Sequence, residues 1–464
     1  MTASAPVAEL PLSLLRQFDV PGPRYTSYPT ADRFIEAFDS EALESWLHAR
    51  RLGTPSPPAG VYVHVPFCAS LCHYCACNKI ITRDYSKGVA YLDDLRRELD
   101  IYRRLLGNHL PVSRLHLGGG SPTFLDDESL QRLMTMLGEH FRLDPDGEHS
   151  IEVDPRTVDR DRVHALAKMG FNRISFGVQD FDADVQQAVH RVQSTEQVFA
   201  VVHAAREAGF RSVNVDLIYG LPRQTLASFA KTLETLRTLR PDRVALYGYA
   251  HLPARFKPQR RIDAAELPDG ENKLKMLHQA ILLLQDAGYE YIGMDHFALP
   301  EDSLTLAKRQ GRLKRNFQGY TDQPDGDLIG LGVSAIGKIG PTYSQNARTL
   351  SEYRELLTQG RLPVMKGIEL NAEDLMRRAI IMALMCQGCL SFEAIEVAHL
   401  VDFHRHFAHE MAELRAYRDM GLVEIDDEWI SVTPQGWYVV RAIAMVFDRH
   451  LQHAQDRVKF SRVL

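Results

Sequence analysis

From residue 60 onward, short apolar or β-branched runs alternate with longer stretches of helical period. The runs lie at 60–65, 114–117, 150–153, 173–178, 212–218 and 243–247. Each is short enough for a buried strand. Between them, residues 91–106, 128–141, 160–169, 196–208 and 226–239 carry apolar positions on one helical face. Gly170 and Gly209 stand just past two of these helices, where a left-handed cap is favoured. A further helix (272–287) and run (289–294) follow. Strands alternating with helices build parallel βαβ units with right-handed crossovers. No doubly-wound reversal is signalled, so the sheet is expected to curl into a partial (β/α)6-type barrel of α/β class.

The pattern changes at both ends. Residues 1–58 hold short helical patches, such as 40–51, between Pro21, Pro23, Pro29, Pro55, Pro57 and Pro58. They read as an N-terminal arm that covers the barrel mouth and adds little to global stability. Beyond about residue 369 the strand alternation stops. Helical patches at 373–386, 391–399, 404–420 and 437–453 surround a hairpin at 422–432. The expected division is an arm (1–58), a barrel with extension strands (59–368) and a mainly helical C-terminal domain (369–464).

Composition narrows the class. The chain has 464 residues, 45% hydrophobic and 25% charged, which suits a soluble globular protein. Its 54 basic and 60 acidic side chains leave a net charge of −6, so no nucleic-acid partner is expected. No apolar run reaches the roughly 18 residues of a membrane span. The first fifteen residues lack the basic start and apolar core of a signal peptide. A cytoplasmic monomer is expected.

Six cysteines are few, but four fall within ten residues, as Cys68-x3-Cys72-x2-Cys75-x-Cys77. Such thiols in one loop suit a shared metal centre. A zinc site completed by Cys386 and Cys389 is one reading. An iron–sulfur cluster with three protein thiolates and one open iron is the other. Cys386 and Cys389 sit in an apolar helical stretch, where buried structural thiols are the plain reading.

The remaining polar candidates fall where parallel barrels carry their chemistry, at the C-terminal ends of strands. The cysteines follow the first run and Gly118-Gly119-Gly120 the second. Glu152 ends the third, Gln179 the fourth, Asp216 lies late in the fifth, and Tyr249, Ala250 and His251 follow the sixth. Tyr62 and His64 are two apart on the first strand, so alternation turns both to one face. They read either as a hydrogen-bonded core pair or as ligand contacts. Glu152 and Asp216 sit between apolar neighbours, where an ionised group needs a cationic or hydroxyl partner. The triple glycine is a tight turn or a place where a ligand approaches backbone. It is not a phosphate loop, since no Gly-Lys-Ser or Gly-Lys-Thr follows.

Tyr62-Val-His64-Val-Pro-Phe-Cys68-x3-Cys72-His-Tyr74-Cys75-Ala-Cys77 resembles the radical S-adenosylmethionine superfamily. Other stretches narrow the resemblance to the oxygen-independent coproporphyrinogen III oxidase family. They are Pro23-Arg-Tyr-Thr-Ser-Tyr-Pro-Thr30, Leu117-Gly-Gly-Gly-Ser-Pro122, Ser150-Ile-Glu-Val-Asp-Pro155, Gly177-Val-Gln-Asp180, Asp216-Leu-Ile-Tyr-Gly-Leu-Pro222, Asn316-Phe-Gln-Gly-Tyr320, Gly332-Val-Ser-Ala-Ile336 and Phe460-Ser-Arg-Val463. The resemblance implies a radical-SAM barrel, a [4Fe–4S] cluster on Cys68, Cys72 and Cys75, and two molecules of S-adenosylmethionine. It places Tyr62, Glu152 and Ile336 at the first molecule and lets Gly119, Gly120 and Ser121 line the cofactor site. Tyr74, Gln179, Arg191, Asp216 and the backbone of Ala250 fall near the second. Tyr74 stands where the family commonly has Phe, and either ring can stack. Cys77 is implied to be a non-ligand near the cluster; as a fourth ligand it would close the open iron.

The same resemblance implies conversion of two propionates of coproporphyrinogen III to vinyl groups, with Tyr62, His64 and Glu152 acting in catalysis. It implies an electron donor and an acceptor that the sequence does not identify. Arg24, Arg260, Arg261 and Arg315 are candidate partners for substrate carboxylates. A related haem-binding chaperone keeps the cysteine triplet but generally lacks the Cys77 position and the Arg24–Tyr28 arm, both present here.

Overall fold

The structure, a computed structural model, describes residues 11–53, 57–451, 460 and 462. Pro55, Ser461, Val463, the last two residues of the 437–453 patch and the first ten residues of the chain lie outside the described residues.

The six expected runs form strands β1 (Ala59–Val65), β2 (Leu110–Gly119), β3 (Phe141–Val153), β4 (Arg173–Gln179), β5 (Ser212–Tyr219) and β6 (Arg243–Gly248). They lie side by side in chain order, all parallel. In β1, Val61, Val63 and Val65 are fully buried against the helices, while Tyr62 and His64 point to the other side. Strands β2 and β3 begin earlier than the pattern suggests. Residues 110–112 pair with 141–143 ahead of a bulge at Val112/Arg114, and Pro145 and Gly147 mask this stretch as a loop in the sequence.

The helices that connect the strands are α3 (Ser86–Leu106), α4 (Asp127–His140), α5 (Arg160–Lys168), α6 (Thr195–Glu207), α7 (Leu226–Leu239) and α8 (Gly270–Asp286). They follow α1 (Leu12–Phe18) and α2 (Ser40–Leu52). Most start on a side chain that takes up a free backbone N–H. These are Asp126, Asp159, Ser194, Thr225 and Asp269, each a contribution of about 0.5–2 kcal/mol.

The sheet does not close. Antiparallel β8 (His296–Ala298) and β7 (Glu290–Gly293) extend it beyond β6. On the β1 side it continues through parallel β9 (Leu328–Leu331), then antiparallel β10 (Ile336–Ile339), β11 (Thr342–Asn346) and β12 (Val364–Glu369). The result among the described residues is one open sheet of twelve strands, order β12-β11-β10-β9-β1-β2-β3-β4-β5-β6-β8-β7.

After α9 (Ala372–Gln387) comes a helical region. It carries a small sheet of β13 (Cys389–Ser391), β14 (Val423–Ile425) and β15 (Trp429–Val432), with β15 central. The helix expected over 404–420 is broken into Phe403–His406 and Ala408–Asp419. At the break Phe407 leaves helical geometry and is fully buried among Phe403, Phe447 and the Arg377 guanidinium.

The N-terminal segment is not a loose arm. Leu14, Leu15 and Phe18 of α1 are buried in the main core, and α1 packs on α8. Tyr25 and Tyr28 are fully buried, and the Tyr25 hydroxyl donates to Asp448 at 2.9 Å. Arg441 donates to the carbonyls of Pro23 and Gly22, and Arg24 pairs with Asp295 of the β7–β8 turn. The segment therefore joins barrel to C-terminal region, and the expectation that it adds little to stability is overturned. Apolar positions too sparse for a core of their own are satisfied by two distant ones.

Candidate functional site

The loop after β1 brings Cys68, Cys72, Cys75 and Cys77 to one wall of a cavity of about 930 Å³. Tyr74, Gly119, Gly120, Ser121, Glu152, Asp154, Arg156, Gln179, Arg191 and Asp216 line the rest of it. These come from the C-terminal ends of β2 to β5 and the segments after them, so five strands deliver to one rim. Among the described residues no three His, Cys, Asp or Glu side chains gather at a single-ion site. The cysteines are spread along the wall instead. Cys386 is buried at the end of α9, its thiol pushed up to about 12 by burial, and neither it nor Cys389 lines this cavity.

The cysteines differ in their surroundings. Cys72 faces two guanidinium groups, Arg191 Nη1 at 3.4 Å and Arg156 Nη2 at 3.6 Å. Asp154 holds both, accepting from Arg156 Nη2 at 2.7 Å and Arg191 Nη1 at 3.1 Å. Burial disfavours the Arg191 cation, but Tyr74, Asp154 and Cys72 outweigh it and leave its pKa raised. The Cys75 thiol is pulled down to about 6, first by a hydrogen bond with Cys77 and then by Lys79, against burial. The Lys79 ammonium is fixed over this turn by the carbonyls of Cys75 and Cys77. Burial and the neighbouring Cys75 and Cys72 push Cys68 up to about 12. A bound iron cluster reverses that preference, because its own positive charge dominates. Three thiols on one wall, two of them beside cations, with ample space in front, fit a cluster with an open position.

The glycine run is a matter of close packing. A Cβ on Gly118 would stand 2.9 Å from the Glu152 carboxylate, on Gly119 2.7 Å from the His64 ring, and on Gly120 2.8 Å from the Pro66–Phe67 backbone. Gly119 also has φ +116°, a left-handed region that disfavours side chains. With that space free, Gly119 N–H donates to Glu152 at 3.1 Å and His116 Nε2 lies 3.2 Å from the same carboxylate. Burial pushes the Glu152 carboxyl up, but His116 and Gly119 outweigh it and hold it below its ordinary value. Its side chain keeps 45% of its surface open, so it is a cavity wall and not a core residue.

Tyr62 and His64 share a face, as alternation implies. The Tyr62 ring stacks on His116, centroids 5.8 Å apart, and its hydroxyl lies 3.0 Å from His64 Nδ1. His64 Nε2 is 2.9 Å from the Asn78 carbonyl, which only accepts. His64 therefore carries its proton on Nε2, and Tyr62 donates to Nδ1. His64 is 6% exposed, its pKa lowered chiefly by burial. It does not open on the cavity, a correction to its expected place at the mouth. Its ring is committed to Tyr62 and to the cysteine loop.

Gln179 reaches the cavity through a bulge between Gly177 and Gln179 and a left-handed φ of +72°. Asp216 receives Asn214 at 2.8 Å and Ser175 at 3.2 Å; burial, then the charge of Glu152, pushes its carboxyl up to about 7. Glu152, Ser175, Asp216 and Tyr247 also line a second space of about 140 Å³ inside the barrel, beneath the first.

Three more expected contacts lie off this cavity, the first being Tyr62, whose ring and hydroxyl are committed to His116 and His64. Ile336 packs with Phe34, Tyr343 and Leu370, and Ala250 lines a separate cavity beyond β6. Of the four arginines, Arg24 lines that separate cavity and Arg315 is buried over Tyr320, while Arg260 and Arg261 are exposed. Sequence reasoning missed His116, Asp154 and Arg156. The signal was present, since Glu152-Val-Asp154-Pro-Arg156 puts two acids on one strand end, but the arginines' shared target is a tertiary fact.

Known proteins resemble the chain over nearly its whole length. Residues 62–236 match the radical SAM superfamily and residues 370–439 the HemN C-terminal domain. An oxygen-independent coproporphyrinogen III oxidase of Pseudomonas aeruginosa is 47% identical over 454 residues, covering 97% of this chain and 98% of its own. The Escherichia coli protein of that name is 45% identical over 453 residues, covering 98% of each chain. The solved structure of the Escherichia coli coproporphyrinogen III oxidase (HemN), described as a radical SAM enzyme, has a TM-score of 0.90 and covers 96% of this chain and 99% of its own.

Proposed function

The chain belongs to the oxygen-independent coproporphyrinogen III oxidase family of the radical SAM superfamily, and on that premise we propose how its residues divide the work. The enzyme uses a [4Fe–4S] cluster and S-adenosylmethionine to convert two propionates of coproporphyrinogen III into vinyl groups, giving protoporphyrinogen IX. Each conversion removes one hydrogen atom from the β-carbon, releases carbon dioxide and passes one electron to an acceptor. When bound, the reduced cluster supplies the electron for reductive cleavage of S-adenosylmethionine, which provides the hydrogen-abstracting group.

Cys68, Cys72 and Cys75 hold the cluster and Cys77 stays off it. The supporting observation is the set of contacts: Arg191 and Arg156 stand 3.4 and 3.6 Å from the Cys72 sulfur, and the hydrogen bond with Cys77 pulls the Cys75 thiol down. Glu152, held ionised by His116 and Gly119 N–H, accepts from the hydroxyl or ammonium groups of the first S-adenosylmethionine. Tyr62 lies against its adenosyl portion, and His64 positions Tyr62 through the Nδ1 bond. Gly119, Gly120 and Ser121 let the cofactor approach the backbone. Tyr74, Gln179, Arg191 and Asp216 serve a second molecule. The chain works as a cytoplasmic monomer, with an arm over 1–58, a barrel over 59–368 and a C-terminal domain over 369–464. Among the described residues no helix is long and apolar enough to cross a membrane.

The observation that carries the reading is the shared cavity, where the cysteine loop faces Glu152, Gln179 and Asp216. The test is anaerobic turnover with dithionite-reduced protein, S-adenosylmethionine and coproporphyrinogen III deuterated at the propionate β-carbons. Protoporphyrinogen IX, two carbon dioxide molecules per product and deuterium in 5′-deoxyadenosine are expected. Vinyl product without label in 5′-deoxyadenosine overturns direct abstraction; no vinyl product overturns the function.

A further inference from the structure

We propose that the cavity at the ends of β5 and β6, centred on Lys273, receives a propionate carboxylate of the substrate. This rests on the tetrapyrrole reading above and assigns part of its recognition to a residue outside the cysteine cavity.

The cavity measures about 260 Å³ and is lined by Arg24, Tyr219, Tyr249, His251, Lys273 and Arg441, among others. That is below the roughly 300–1,000 Å³ of pockets that enclose whole drug-sized molecules. It suits one acidic arm and not a macrocycle.

Its charge is lopsided. Arg24 is paired with Asp295, and Arg462 with Asp19 at 2.6 Å. Lys273, on the first turn of α8, has no carboxylate within ion-pair distance among the described residues. Its ammonium donates to the Tyr249 carbonyl at 2.8 Å and lies 5.6 Å from the centre of the Tyr219 ring. An ammonium has three donors, so two are left for the cavity. Burying a cation is costly, and burial holds the Lys273 pKa below the ordinary lysine value although the charge of Asp19, itself paired with Arg462, acts the other way. The gain comes when an anion arrives.

The local chain makes space for this lysine. Gly220, with φ +83°, leaves room where a Cβ would stand 3.0 Å from Lys273 Cε. A Cβ on Gly248 would stand 2.8 Å from the Tyr219 hydroxyl and 3.5 Å from Lys273 Nζ. Two glycines on neighbouring strand ends thus keep the slot open.

The cavity also lies beside the reaction site. Lys273 bonds the carbonyl of Tyr249, next to Ala250. Arg24, on its wall, stacks on Tyr247 at 5.4 Å, and Tyr247 in turn lines the cysteine cavity. The Arg24 guanidinium and the Tyr247 ring therefore stand between the two spaces. Coproporphyrinogen III carries a propionate on every pyrrole ring, so a substrate that presents one propionate for reaction still has three carboxylates to be held by other subsites. A net charge of −6 opposes the approach of a polyanion, and a local cation offsets that opposition.

The experiment uses anaerobically reconstituted holoenzyme with Lys273→Met and Lys273→Arg. Lys273→Met is expected to raise KM for coproporphyrinogen III by about tenfold or more, the scale of one hydrogen bond to a charged group, with kcat within about twofold. Lys273→Arg is expected to restore most of that loss. S-adenosylmethionine cleavage without substrate stays at the wild-type level. Binding of fluorescent coproporphyrin III weakens by the same factor, while its tetramethyl ester binds wild type and Lys273→Met alike. An unchanged KM, or equal weakening for the ester, overturns the carboxylate subsite. If wild type fails to convert coproporphyrinogen III, the family function falls, and the porphyrin-binding arm still decides whether Lys273 takes a carboxylate.

Discussion

Arg191 Nη1 stands 3.4 Å from the Cys72 sulfur and 3.1 Å from Asp154, so one guanidinium ties a thiol of the cysteine loop to a carboxylate just past the end of β3. Hydrogen bonds and positive charge at a ligating sulfur stabilise the reduced state of a cluster. Arg191→Met is therefore expected to make the one-electron potential more negative, by about 60 mV for each tenfold loss in that stabilisation. Electron paramagnetic resonance during a redox titration measures it. An unchanged potential separates Arg191 from the cluster.

Serine replacements sort the cysteines. Cys68→Ser, Cys72→Ser and Cys75→Ser are expected to lose most iron after anaerobic reconstitution. Cys77→Ser is expected to keep the wild-type iron content, because it acts on Cys75 through a hydrogen bond. Iron and sulfide assays decide; equal loss in Cys77→Ser makes it a ligand.

Glu152→Gln keeps the shape, but its amide NH2 cannot accept, so it keeps only one of the bonds from His116 and Gly119 and removes the charge. Losing a charged acceptor is worth roughly 1.5–3 kcal/mol, so 5′-deoxyadenosine formation at limiting S-adenosylmethionine is expected to fall about tenfold or more. The rate against cofactor concentration checks this, and a wild-type profile rules out the contact.

The buried Tyr25–Asp448 bond, across 423 positions of sequence, makes the N-terminal segment a stability element. Tyr25→Phe leaves a buried carboxylate short of a donor, at about 1–3 kcal/mol, and is expected to lower Tm by several degrees. Truncation through residue 30 also strips Leu14, Leu15, Phe18 and Tyr28 from the core and is expected to cost far more. Calorimetry of the apoprotein is the check.

Glu98 is fully buried and accepts from Tyr353 at 2.5 Å, Asn346 at 2.7 Å and Gly332 N–H at 2.8 Å. Burial pushes its carboxyl up to about 7, the hydrogen bonds opposing. The folded state thus binds a proton that the unfolded state has released between pH 4.5 and 7. Stability falls as pH rises through that window, by at most about 3 kcal/mol from this group. Glu98→Gln is expected to flatten this part of the denaturation profile between pH 5 and 8. A slope unchanged from wild type would exclude Glu98 as its source.

The alternation of short apolar runs with amphipathic helices identified six parallel strands, their order and the rim on which Glu152, Gln179 and Asp216 meet the cysteine loop. These features are local: period-two and period-3.6 burial, turn residues and strand ends are written in consecutive positions. The Cys68–Cys77 spacing was legible for the same reason. The partial barrel and its extension strands were expected; tertiary structure alone decided which sheet edge each extension strand joins, and that residues 11–30 are core. It also decided that His64 is spent on Tyr62 and Asn78, and that Lys273 has no carboxylate within ion-pair distance among the described residues. Each of these depends on what lies opposite a side chain once segments far apart in sequence have packed, such as Arg24 against Asp295 or Tyr25 against Asp448. Burial and charge pairing at such places are set by the neighbours that folding supplies, which no local pattern encodes.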